Sequence, residues 1–224
     1  MSSVFSIESV FFTFFGYSVS YLEFVGTVLY LSSVVLIARR HWLTWPVGIV
    51  SVLLFMALFY QIQLYSAGLE QLYYLAACLY GWWFWSRTAA GDAEPARVAW
   101  GSARGMTRWV LVTLAGSLLL GWGMSHLHVW LPGLFPQAAD FPYLDALTTV
   151  MSFVAMWLLV RKHIESWLYW IVVDLIGIGL YLIKGVVFLS LLYVVLLCIA
   201  LWGFWGWTRS AKAAPDDALV AANL

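Results

Sequence analysis

The sequence predicts an all-α polytopic membrane protein of seven transmembrane helices, arranged as a parallel 3+1+3 repeat behind a short N-terminal interfacial helix. Three observations lead there. Of 224 residues, 64% are hydrophobic and only 10% charged; the apolar residues fall in seven runs near bilayer length; and the chain matches itself at one fixed offset. Such a composition leaves too little polar surface for a water-soluble globule. The formal net charge is zero, so nucleic acid is excluded as a partner, since its phosphates call for a concentrated basic face.

Residues 1–20 come first. The run Val4 to Phe15 carries Glu8 and has no basic leader, so it is expected to be mature sequence rather than a secretory signal. It falls short of the roughly 20 apolar residues that span a bilayer, and an interfacial position is expected. Residues 21–87 form the first three-helix unit, with spans Tyr21 to Ala38, Trp45 to Tyr65 and Leu69 to Trp85. Residues 88–106, with Gly91, Asp92, Glu94, Pro95, Gly101 and Gly105, form a polar cytoplasmic connector expected to carry no chemistry. A single linker helix covers 107–127. Residues 143–209 form the second unit, with spans Tyr143 to Val160, Trp167 to Val186 and Leu189 to Trp207, and 210–224 form a cytoplasmic tail expected to fray. Continuous apolar runs exclude a membrane barrel, whose strands alternate in short segments.

The repeat emerges when the chain is shifted against itself. Arg39 matches Arg161, His41 matches His163, Trp45 matches Trp167, Gly81 matches Gly203, Trp83 matches Trp205, Trp85 matches Trp207 and Arg87 matches Arg209. Glu23 and Asp145 follow the same spacing and suit the positive end of a helix. Three helices per unit would leave two directly joined units facing opposite ways, and the linker helix restores a common orientation. Parallel repeats of this kind hold a solute near the midplane between the units.

Basic residues set the orientation. With the first span starting outside, Arg39, Arg40, Arg87, Arg97, Arg104, Arg108, Arg161, Lys162, Arg209 and Lys212 all reach one side, and only Lys184 reaches the other. The positive-inside rule makes the populated side the cytoplasm, so the carboxyl terminus is cytoplasmic and the membrane is the cytoplasmic (inner) one.

Several motifs resemble the PnuC family of nicotinamide riboside transporters. They are Phe59-Tyr60-Gln61-Ile62-Gln63-Leu64-Tyr65, Gln71, and Tyr80-Gly81-Trp82-Trp83-Phe84-Trp85-Ser86-Arg87 in the first unit. In the second they are Arg161-Lys162-His163, Glu165, Trp167-Leu168-Tyr169-Trp170, Asp174, and Tyr181 to Gly185. The resemblance runs from about Tyr21 to Arg209. It implies an architecture similar to the SWEET sugar facilitators and inward facilitated diffusion of unphosphorylated nicotinamide riboside, which a cytosolic kinase then traps. It also implies a homo-oligomer, a trimer in the family. Ser51 and Cys78 stand where some relatives carry Asn, which bears on the polar contacts of the first unit.

Candidate site residues follow from residue chemistry at bilayer depth. Asp174 lies near the middle of the sixth span, where a carboxylate is costly unless it faces a cavity or a partner. It suits a cationic pyridinium or ribose hydroxyls. Gln61, Gln63 and Gln71 carry amides able to donate and accept toward a sugar or carboxamide, although such amides also join helices. Phe55, Tyr74, Tyr181 and Tyr193 are candidates for stacking on the ring. Tyr193 occupies the repeat position of Gln71, and Ser51 stands one turn from Phe55. Lys184 is expected to reach for the interface. Trp82 to Trp85 and Trp202 to Trp207 are expected to act mostly as interfacial anchors. Cys78 and Cys198 sit in apolar runs as small hydrophobes, and the histidines read as solvated loop residues without a third ligand.

No metal or cofactor site is expected, and an intramembrane enzyme would need an activated nucleophile or metal triad that the sequence does not display. The same fold carrying thiamine or another vitamin, or coupling uptake to protons, are the alternatives.

Overall fold

A computed structural model describes residues 6–7, 9–14, 17–62, 65–89, 97–133, 138 and 140–221. Among them are seven helices and one two-stranded hairpin: β1 (Val10–Phe14), β2 (Tyr17–Ser20), α1 (Tyr21–Ala38), α2 (Thr44–Gln61), α3 (Tyr65–Ala89), α4 (Ala103–Trp130), α5 (Pro142–Val160), α6 (Glu165–Ile183) and α7 (Val187–Ala221). Six helices, all but α3, are long and apolar enough to cross a membrane. α3 is 25 residues long but carries Glu70, Gln71 and several tyrosines along its length. The chain divides into two compact units, residues 1–97 and 98–224.

The N-terminal segment corrects an expectation. Where an interfacial helix was predicted, β1 and β2 pair antiparallel with Phe12 opposite Val19, Thr13 opposite Ser18 and Phe14 opposite Tyr17, and the register is irregular between Val10 and Phe12. Every residue of β1 is β-branched or aromatic, types that lose side-chain freedom against a helical turn and fit a pleated surface. Phe11 packs its ring on Tyr21 and Phe24, at 4.8 and 4.6 Å between centroids. The segment is also tied to the end of α2, because the Ile7 amide donates to Gln61 Oε1 at 3.1 Å.

In the first unit, α1 packs on α2 and α2 on α3. Ser20 caps α1 by accepting from the Glu23 amide (3.1 Å), and Tyr17 donates its hydroxyl to the Glu23 carboxylate (2.8 Å). Ser20 and Glu23 therefore stand at the positions of a capping box. Burial, then the Glu23 carboxylate, push the Tyr17 phenol up to about 12, so this donor keeps its proton throughout the physiological range. In the second unit, α4 packs on α5, α5 on α6 and α6 on α7. Ser102 caps α4 by accepting from Gly105 N–H, Pro142 opens α5, and α7 continues to Ala221, beyond the end predicted for its span.

Positions 122 apart carry the same local geometry. α1 and α5 both end on a non-glycine residue in the left-handed region, Arg40 at φ 59° and Lys162 at φ 60°. At the first, Arg40 N–H reaches Ile37 O and His41 N–H reaches Leu36 O; at the second, Lys162 reaches Leu159 and His163 reaches Leu158. These are Schellman closures that satisfy the last carbonyls of each helix. Trp45 meets Trp85 edge-on at 5.2 Å, and Trp167 meets Trp207 edge-on at 5.5 Å. Gly81 and Gly203 lie flat against the Trp45 and Trp167 rings, where a Cβ would fall within 3 Å of ring carbons.

This pairing separates two tryptophans from the group expected to act mostly as anchors. Trp82, Trp83, Trp202 and Trp205 are exposed, as anchors should be, but Trp85 and Trp207 are buried in the core of their units. An exposed Trp and a buried Trp look alike in an apolar run. The glycine four residues before each buried one was the usable signal, since it clears room for the partner ring.

Candidate functional site

In the second unit, α6 presents Asp174, Gly177 and Tyr181 at spacings of three and four residues, so they share one face. Asp174 is 3% exposed. Among the described residues no side chain hydrogen-bonds to its carboxylate. One turn on, Gly177 lets the Tyr193 ring of α7 close against the α6 backbone, where a Cβ would stand 2.5 Å from ring carbon Cδ1. Tyr193 in turn stacks on Tyr181 with centroids 5.4 Å apart and planes 23° apart. Ser190 of α7 donates to the Ile178 carbonyl at 3.2 Å and ties the two helices beside this pair. The structure thus joins Tyr181 and Tyr193 in one aromatic platform on the α6 and α7 pair. Lys184, at the C-cap of α6, is exposed and lies 5.8 Å from the centroid of the Phe141 ring.

In the first unit two of the candidates, Ser51 and Cys78, lie at helix contacts. Ser51 is buried and donates to the Gly26 carbonyl of α1 (3.0 Å). Phe55 packs against Gly26, stacks on Phe59 and makes a T-shaped contact with Tyr30. Cys78 is buried with its Sγ against Gly48 of α2. Gln61 holds the N-terminal segment through Oε1, as described above. Gln71 is half-buried on α3 and has no hydrogen bond among the described residues. Tyr74 meets Tyr73 edge-on at 5.6 Å. Gln63 lies outside the described residues.

Glu165 was not singled out on physical grounds in the sequence. It is the first residue of α6, is buried, and accepts the Gly101 amide on both carboxylate oxygens, at 3.0 and 3.1 Å. The stretch around Gly101 is strapped to the loop between α5 and α6: Ala99 N–H donates to Lys162 O, and Ile164 N–H donates to Ala99 O. Val98, next to Ala99 in the chain, is buried. The end of the connector is therefore structured, and His163, half-buried with Nδ1 3.4 Å from Glu165 Oε1, is not a freely solvated side chain. His41, 122 residues earlier, is exposed and accepts from Leu43 N–H. The first unit has Leu43 where the second has Glu165. No cluster of three or more potential metal ligands occurs among the described residues.

Residues 20–209 match the family model described as nicotinamide mononucleotide transporter. The chain belongs to the PnuC family of membrane transporters. The nicotinamide riboside transporter PnuC of Escherichia coli (strain K12) is 32% identical over 221 residues, covering 91% of this chain and 92% of the relative. The riboflavin/roseoflavin transporter RibM of Streptomyces davaonensis is 31% identical over 213 residues, covering 92% and 93%. The crystal structure of the vitamin B3 transporter PnuC shares the fold, with a TM-score of 0.62 at 24% identity over 86% of this chain and 83% of that one. As a PnuC-family member the chain is a multi-pass membrane transporter and not an enzyme.

Proposed function

We propose that this transporter takes up nicotinamide riboside by facilitated diffusion, with Asp174 as counter-ion to the pyridinium and the Tyr181 and Tyr193 platform beside the ring. The observation that carries the reading is the buried Asp174 carboxylate without a hydrogen-bonding side chain among the described residues. A carboxylate at that depth costs several kcal/mol unless a cation or donor meets it, and a permanently cationic solute supplies one. The relatives' names support the solute, and the matched geometry at the 122-residue offset supports a parallel 3+1+3 duplication.

Gln71 and Tyr74 of the first unit are proposed to contribute polar and aromatic contacts, and alternating exposure is proposed to come from movement of one three-helix unit against the other. Basic clusters at one set of helix ends support a cytoplasmic carboxyl terminus and an inner-membrane location. A cytosolic kinase supplies net direction by trapping the solute, and a homotrimer is the assembly the resemblance implies. Riboflavin is the second reading, favoured by the 31% identity to RibM across nearly the whole of both chains.

Uptake of labelled nicotinamide riboside and labelled riboflavin into proteoliposomes without an ion gradient tests both. The expected result is nicotinamide riboside influx that halts at equal concentrations and drops about tenfold or more in Asp174→Ala, as loss of a desolvated charge pair requires. Riboflavin influx without nicotinamide riboside influx assigns the second solute. In a parallel assay with an imposed inward proton gradient, accumulation above the external concentration that collapses with a protonophore overturns facilitation.

A further inference from the structure

α4 carries a shallow, largely open surface furrow in its amino-terminal half. Ala103, Thr107, Leu111 and Ala115 follow one another at four-residue spacing along it, and Arg104, Arg108 and Val112 form the neighbouring row. Two alanines and a threonine beside longer side chains leave the depression. Its two ends differ in chemistry, since both cations lie at the start of the helix and only Leu111, Val112 and Ala115 lie further along.

The placement of the arginines is unfavourable as it stands. They are exposed, one turn apart on the same face, and like charges at that spacing repel. They also occupy the amino-terminal end of a 28-residue helix, where the macrodipole already carries positive charge. Among the described residues neither has a carboxylate partner. An anion between the two guanidinium groups removes both penalties, and the furrow beyond them runs along an apolar membrane-spanning helix where water-soluble anions have no place.

We infer that this furrow binds one anionic phospholipid, with its phosphodiester between Arg104 and Arg108 and an acyl chain along Leu111, Val112 and Ala115. Basic side chains at the ends of membrane helices recognise acidic headgroups in this way. The inference is independent of which solute is transported.

Native mass spectrometry of the delipidated full chain tests it, with phosphatidylglycerol, phosphatidylcholine and free glycerophosphate as separate probes. Phosphatidylglycerol is expected to bind in preference to phosphatidylcholine by about fivefold per arginine, the equivalent of about 1 kcal/mol per basic side chain. Arg104→Gln with Arg108→Gln should abolish that preference, whereas Arg209→Gln with Lys212→Gln, an equal loss of charge, should keep it. Ala115→Trp, which fills the furrow, should reduce phosphatidylglycerol binding while leaving the arginines in place. Equal binding of the two lipids, retention of the preference in the double arginine variant, or glycerophosphate binding as well as the lipid each overturns the inference. A change of oligomeric mass in the Ala115→Trp variant would assign the furrow to a second copy of the chain and overturn it too.

Discussion

Gly81→Ala and Gly203→Ala probe the packing that the two units share. A Cβ on Gly81 would meet Trp45 ring carbons at 2.5 to 2.6 Å, and one on Gly203 would meet Trp167 ring carbons at 2.6 to 2.8 Å, against 3.4 Å or more in ordinary contact. Each ring must therefore retreat by nearly an ångström. Neither has slack on its far side, because each is at most 1% exposed and abuts a second buried Trp edge-on. Among the described residues neither indole nitrogen has a hydrogen-bond partner, so shape alone holds the rings. Overpacking of this kind costs about 1–3 kcal/mol, offset by up to about 1 kcal/mol from the better helix propensity of Ala. A net loss of about 1–2 kcal/mol lowers Tm by roughly 2–8 °C for a chain of this size, and the two losses should add because the sites share no partners. Gly206→Ala on the same helix as Gly203 is the control, since among the described residues nothing lies within 4 Å of the added Cβ. It should be neutral or slightly stabilising. Thermal unfolding in detergent, followed by the tryptophan signal, reads the two single variants, their combination and the control against the unsubstituted protein. If Gly203→Ala and Gly206→Ala shift Tm in the same direction by similar amounts, the ring-against-glycine account is wrong.

Two further substitutions test other links. Glu165→Ala leaves the Gly101 amide without its acceptor and should destabilise the chain by about 1.5–3 kcal/mol, as for a hydrogen bond to a charged group. Amide exchange at Gly101 and Ala99 should accelerate well beyond that of the α5 core, and unchanged exchange would refute the strap. Gly177→Ala should push Tyr193 off Tyr181 and raise KM for solute several-fold, as expected when one stacking contact worth about 0.5–1.5 kcal/mol is lost. Gly179→Ala, with nothing among the described residues within 4 Å of the added Cβ, should leave KM alone, and equal KM values for the two variants would detach the platform from the solute.

The candidate site was only partly legible. Asp174 could be singled out because a carboxylate in a long apolar run announces its cost without any knowledge of its neighbours. Ser51 could not be resolved in the same way. A hydroxyl serves a solute or a neighbouring helix equally well, and only the Gly26 carbonyl lying 3.0 Å away shows that this one joins α1 to α2. Glu165 was harder still, since its partner is the backbone of Gly101, 64 residues away.

What the sequence determined by itself was the set of apolar runs, the internal offset and the family. α1 begins and ends where its run does, because a spanning helix must satisfy every backbone group locally and its length follows from bilayer thickness. Tertiary structure decided what depends on contacts distant in sequence. It made a hairpin of the first aromatic run, put Trp85 and Trp207 in the core while Trp83 and Trp205 stayed outside, and strapped the connector to α6. In an apolar chain burial cannot be read from hydrophobicity, since a side chain facing lipid and one facing another helix are the same chemical choice, and only the neighbour's shape tells them apart.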